Sequence, residues 1–162
     1  MRFILILSLL FFFNISKSQP IKILIGNSSS EVEDYYKTLF SKKNNPYYIT
    51  ERTVSDDGDL ILTASFALDD ESFYKCIGTK CFFRRGNGIE KCYAQIVWGL
   101  KQYAYDHLEF IKDKFKYKEK NKWIFPYLDP DIESKYELSA EYFPKEDDSF
   151  VILYLISKKK QQ

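Results

Sequence analysis

The apolar positions of this chain follow three rhythms, and each predicts a different kind of element. The first is a nearly unbroken run, residues 3–13, behind Met1 and Arg2 and ahead of Asn14, Ser16, Lys17, Ser18 and Gln19. A basic start, a short apolar centre and small residues before a polar exit predict a secretory signal peptide, cut between Ser18 and Gln19. The run is about half the roughly 20 residues that a spanning helix needs. No later apolar stretch comes close, so no membrane span is expected after cleavage.

The second rhythm is helical. Val32, Tyr35, Tyr36, Leu39 and Phe40 recur at the spacing of one helix stripe. Ser28 and Ser30 stand three positions before Glu31 and Glu33, the spacing of a capping box. This helix should end near Lys43, before Asn44-Asn45-Pro46. A longer helix is expected over about 89–115, where Ile89, Tyr93, Ile96, Leu100, Ala104, Leu108, Ile111 and Phe115 share a stripe. Asn87 would cap it, with Glu90 at the third helical position.

The third rhythm has period two. Short strands are predicted at 21–25, 47–54 and 60–68, the last with Leu60, Leu62, Ala64 and Phe66 on one face. Residues 73–84 read either as a hairpin turning at Gly78-Thr79 or as one long strand bulged at Gly78. In 135–142, Tyr136, Leu138, Ala140 and Tyr142 alternate with polar neighbours, while 150–156 is apolar on both faces and reads as a central strand. The resulting order, β-α-β-β-β-α-β-β, clusters its strands instead of alternating them with helices. That argues an α+β fold, a mostly antiparallel sheet of five to six strands with two helices packed on one face. The expected organisation is a signal peptide over 1–18, a single domain over 19–157 and a polar tail over 158–162. No internal repeat or linker is visible.

Composition changes this picture little. Loss of residues 1–18 removes Arg2 and Lys17 and no acid, leaving 22 basic against 23 acidic side chains, a net charge of −1. Such balance gives no electrostatic reason to expect nucleic acid. The charges are blocked, however: lysines crowd 112–122 and acids crowd 129–148. Blocks of this kind read as solvated faces, with a polar or anionic partner as the alternative.

Candidate chemistry is sparse. Cys76, Cys81 and Cys92 are the only cysteines. In an exported chain they predict one disulfide, Cys92 with Cys76 or Cys81, and one thiol left over. A Cys76–Cys81 bridge is open to the hairpin form of 73–84. Their spacing, with His107 as the one histidine, does not suit a zinc site, and no metal or other cofactor is expected. His107 lies too far from Cys92 to activate it if 89–115 is one helix. Arg84, Arg85, Gly86, Asn87 and Gly88 would bring two guanidinium groups and a Gly-x-Gly turn to the start of the long helix, a possible anion-binding site. The carboxylates of Asp129, Asp131 and the 56–59 turn could serve calcium or acid–base chemistry, though Asp-Asp-Gly is ordinary turn sequence.

These readings converge on a small protein, secreted or periplasmic, that binds an unknown protein or anionic ligand and leans away from catalysis. A small exported hydrolase using loop carboxylates, or a protein inhibitor with one exposed aromatic patch, is the alternative.

Overall fold

The structure, a computed structural model, describes residues 22–41, 50–65, 78–86, 89–126 and 135–159. Its first regular element is α1, Ser29–Ser41. The expected capping box opens it: Glu31 Oε2 accepts from the Ser28 backbone N–H at 2.6 Å and from its hydroxyl at 2.8 Å, while Ser28 Oγ accepts from the Glu31 N–H. Four strands follow, β1 Thr50–Val54, β2 Leu60–Ser65, β3 Gly78–Gly86 and β4 Ile89–Leu100. A 3-10 turn, Lys101–Tyr103, leads into α2, Ala104–Lys114. The chain then returns through β5 Lys116–Glu119, β6 Lys122–Ile124, β7 Tyr136–Pro144 and β8 Ser149–Lys158.

All eight strands form one antiparallel sheet in the order β1-β2-β3-β4-β8-β7-β6-β5. The α+β class and the mostly antiparallel sheet therefore hold, but the strand count and order differ from expectation. The topology contains a repeat that the sequence does not display. Each half is a helix followed by a four-stranded meander, and the halves meet where β4 pairs with β8 over Ala94–Leu100 and Ser149–Leu155.

The largest correction concerns 89–115. Its first twelve residues are strand β4, and only the part from Ala104 onward is α-helix. Ile89, Tyr93, Ile96 and Leu100 fit a helical stripe, but Cys92, Ala94, Val97 and Trp98 fill the gaps with further apolar side chains. A strand buried on both faces gives the same continuous apolar signal as a buried helix, so periodicity alone does not separate them. In β4, Cys92, Gln95 and Val97 turn inward, while Ala94, Ile96 and Trp98 turn outward.

Three smaller differences share a logic of backbone satisfaction. The expected strand at 21–25 is not one over its described part: the Lys22 carbonyl and Leu24 N–H bond to the Gln95 side chain instead of to another strand. The chain then crosses β4 only briefly, with Gly26 N–H on the Cys92 carbonyl and Cys92 N–H on the Asn27 carbonyl. Gly78 and Thr79 lie inside β3, which rules out the hairpin there. The β3–β4 register shifts between Phe82 and Phe83, not at Gly78.

Both helices cover the same face of the sheet. On α1, Val32 and Tyr36 are buried, and the Tyr36 hydroxyl touches Cys81 of β3. On α2, Ala104, His107 and Ile111 are buried, and the His107 ring lies 5.3 Å from Phe150 of β8. Leu62, Cys81, Phe83, Val97, Ile152 and Tyr154 fill the space between. Each such fully buried apolar side chain contributes roughly 1.5–3 kcal/mol.

Gly78 has a steric role. A Cβ there would lie 2.5 Å from Cζ2 of Trp98 and 2.7 Å from the Ala64 carbonyl oxygen. The indole can shift, but the backbone oxygen of a paired strand cannot do so cheaply. Gly78→Ala is expected to cost about 1–3 kcal/mol, read as a lowered urea midpoint with an unchanged slope; an unaltered midpoint would refute the close packing of Trp98 over β3.

Candidate functional site: the buried thiol network and the open sheet face

Two features stand out from the scaffold, one on each side of the sheet. Beneath α1, polar side chains from three segments and the backbone of a fourth meet in the apolar core. Thr79, Cys81, Cys92 and Gln95 all point to the helix-covered face by register, and all are buried. Gln95 is the hub: its Nε2 donates to the Lys22 carbonyl at 3.1 Å and to Thr79 Oγ1 at 3.2 Å, and its Oε1 accepts from Leu24 N–H at 2.8 Å. Tyr36 Oη stands 3.4 Å from Cys81 Sγ. Cys92 hydrogen-bonds Cys81 through its thiol and donates to the Ala94 carbonyl at 3.3 Å.

This environment sets the acidities. Burial, reinforced by the neighbouring Cys81, pushes the Tyr36 phenol far above its ordinary range. Hydrogen bonding to Cys81 together with burial does the same to the Cys92 thiol. Hydrogen bonding with Cys92, and then with Tyr36 and Thr79, outweighs burial and lowers the Cys81 thiol relative to an ordinary cysteine. Of the two expected pairings, the described residues thus bring together Cys81 and Cys92, held as two thiols in contact. Cys76 lies outside the described residues.

His107 does not join them. It sits on α2 against Phe150, in the other half of the fold. No cluster of three or more metal-ligating side chains occurs among the described residues.

The anion site loses its premise. Arg84 and Arg85 end a strand, Gly86 pairs with Ile89, and no helix begins there. Asn87 and Gly88 lie outside the described residues. The Arg84 guanidinium is engaged already, 4.4 Å above the Tyr93 ring and 3.7 Å from Asp59. Asp59 also accepts from the Tyr93 hydroxyl at 2.8 Å, and burial together with that bond raises the Tyr93 phenol. Asp56, Asp57 and Gly58 form the β1–β2 turn, with Gly58 at φ 81°. Asp129 and Asp131 lie outside the described residues.

The charge blocks meet each other. Lys118 pairs with Glu137, and Lys122 with Glu141, across the β5–β6–β7 edge. A shallow depression beside them, lined by Glu119, Asn121, Lys122, Glu141 and Tyr142, holds two acids but no arginine.

The second feature is the opposite face, over which no described helix lies. Register places Ile61, Phe82, Ala94 and Leu155 in one cross-strand row of that face, Ile96 and Leu153 in the next, and Trp98, Val151 and Phe143 in a third. Most of these side chains are only half-buried, by one another, and Phe143 is 40 % exposed. Lys80 borders the patch on one side and Glu141 on the other, in the row of Ile96 and Leu153. Sequence reading assigned the β4 part of this surface to a helix, and so missed the face as a whole. The signal was there in the apolar runs of β4 and β8, which are too long for a sheet with one wet face.

Comparison with protein-family models, with curated proteins and with solved structures finds no match to this chain.

The polar network has a structural test. Gln95→Leu would strand the Leu24 N–H and the Lys22 carbonyl and take one partner from the Thr79 hydroxyl. An expected loss of about 2–3 kcal/mol follows from buried groups left without partners. Tyr36→Phe removes one weak contact to sulfur and should cost about 1 kcal/mol. Equal urea midpoints for the two variants would refute Gln95 as the hub.

Proposed function

We propose that this chain is a small exported protein that works by binding another protein, not by catalysis, through the helix-free face of its sheet. The observation carrying this reading is the apolar patch of β4 and β8. Exposed contiguous apolar surfaces larger than a few hundred Å² mark interaction sites in soluble proteins. The aromatic side chains Phe82, Tyr93, Trp98 and Phe143 within or beside the patch are of the types that dominate interface energies. The N-terminal pattern of residues 1–18 supports export.

Capture from the native exported fraction tests the reading, with the tagged chain as bait. The wild type should retain a bound protein, another chain or an untagged copy. Leu153→Lys, which places a charge in the patch, should lose it. Tyr105→Lys, on the exposed side of α2, should not. Equal retention by Leu153→Lys and wild type would overturn the assignment of the surface.

Export carries a second expectation, for the thiols. Exchange with glutathione disulfide would transfer oxidation to the protein. The Cys81 thiolate attacks one glutathione sulfur and releases one glutathione, then the Cys92 thiolate displaces the second and closes the bridge. The protein loses two hydrogens, and the reagent is reduced to two thiols. Alkylation in denaturant without reductant should then mark Cys76 alone; three marked cysteines would show the pair remains reduced.

A further inference from the structure

We propose that the occupant of the open sheet face is a second copy of this chain, packed face to face as a two-fold β-sandwich. The inference rests on the assignment of that face as the binding surface and adds the identity of what covers it.

Shape comes first. Every β-sheet of natural chirality carries the same hand of twist. Two such sheets therefore pack with aligned strands about 30° apart and side chains interleaved across about 10 Å. A copy of the same sheet meets that condition without any adjustment. Area is the second argument. Strand spacing and rise give each outward side chain roughly 30 Å² of sheet, so the apolar patch spans about 300 Å² and the whole face, charged rims included, about 700 Å². The whole face is close to the share per partner of a standard stable interface, about 800 Å².

The row composition supplies the third argument. A two-fold axis that bisects the roughly 30° between the two sets of strands, over the β4–β8 seam, sets β4 against the partner's β8 and β3 against the partner's β7. Each cross-strand row then faces its own reverse. Ala94 meets Leu155 of the partner subunit, Ile96 meets the partner's Leu153, and Trp98 meets the partner's Val151. Farther out in the row of Ala94 and Leu155, inside the edge residues Thr53 and Lys116, Phe82 comes over the partner's Ser139 and Ile61 over the partner's Ile124. Phe143, the most exposed aromatic of the patch, comes over the partner's Gly78, across which the partner's Trp98 indole lies, so that the two aromatic rings meet there. Lys80 comes opposite the partner's Glu141, and the same pair recurs by symmetry. Apolar rows are thus self-complementary, and the flanking charges are of opposite sign. With a net charge of −1 after signal removal, little repulsion opposes association.

Sedimentation equilibrium of the purified protein at micromolar concentrations decides the matter. The expected result is a species of twice the chain mass. Ile96→Lys should raise the dimer dissociation constant by roughly a hundredfold or more, because two lysines are driven into an apolar centre. Lys80→Glu and Glu141→Lys should each weaken the dimer by about tenfold, and the double variant should recover most of the loss. Circular dichroism of each variant confirms that the fold persists. A wild type that remains monomeric overturns the proposal, as does a dimer indifferent to Ile96→Lys; a dimer whose double charge variant shows no recovery overturns this register. If the wild type is monomeric yet Leu153→Lys still loses a captured foreign protein, the second copy is refuted while the binding face stands.

Discussion

The pairing of β4 with β8 is the interaction on which this fold depends. Among the described strands it is the only ladder joining the two halves. It also supplies both faces of the sheet at once. Gln95 and Tyr154, Val97 and Ile152, and Gly99 and Phe150 are its inward pairs. Tyr154, Ile152 and Phe150 meet α2 or the core around it, and Gln95 holds the segment leading to α1. A slip of one residue along this ladder would turn Gln95 out of its network and drive Ile96 or Trp98 under the helices. The register is consequently fixed by the polar hub as much as by apolar burial.

Much of the architecture was legible because local and global signals agreed. The capping box at Ser28 and Glu31, the stripe of Val32 and Tyr36, and the alternation through Leu138 and Ala140 each name an element without tertiary help. The run 150–156 declared itself a central strand, and it is one. β4 was illegible for the same physical reason that makes it central. A strand covered by helices on one side and lined with apolar residues on the other has no polar alternation to report, and its apolar residues satisfy a 3.6 period by accident. Asn87-Gly88 could have decided the matter, since that dipeptide between apolar runs favours a hairpin over a helix start.

The candidate site was legible only in fragments. Compartment and count alone pointed to Cys92 with either Cys76 or Cys81 and did not choose between them. Gln95 could not be singled out, because its partners Leu24 and Lys22 lie 71 and 73 residues away and a glutamine inside an apolar run looks like a helix's wet side. Arg84 shows the converse. Its sequence setting suggested a ligand, while in three dimensions Tyr93 and Asp59 absorb it.

The two faces of the sheet solve the burial of apolar surface differently, and the difference bears on function. On the inner face, two short helices suffice, and the polar groups brought inside are tied into one network. A single domain could have closed the outer face with further helices or a second layer of its own strands; the described elements do neither. The charged side chains of that face flank its apolar centre, Lys80 and Arg84 toward one edge, Glu137 and Glu141 toward the other, and Ser139 interrupts one apolar row. An apolar centre with charged borders is poor solvent-facing design for a monomer, because its apolar area gains nothing in water. The same arrangement is stable once another surface of matching flatness lies across it. On the proposed assembly the outer face is half of a core, which the second copy completes.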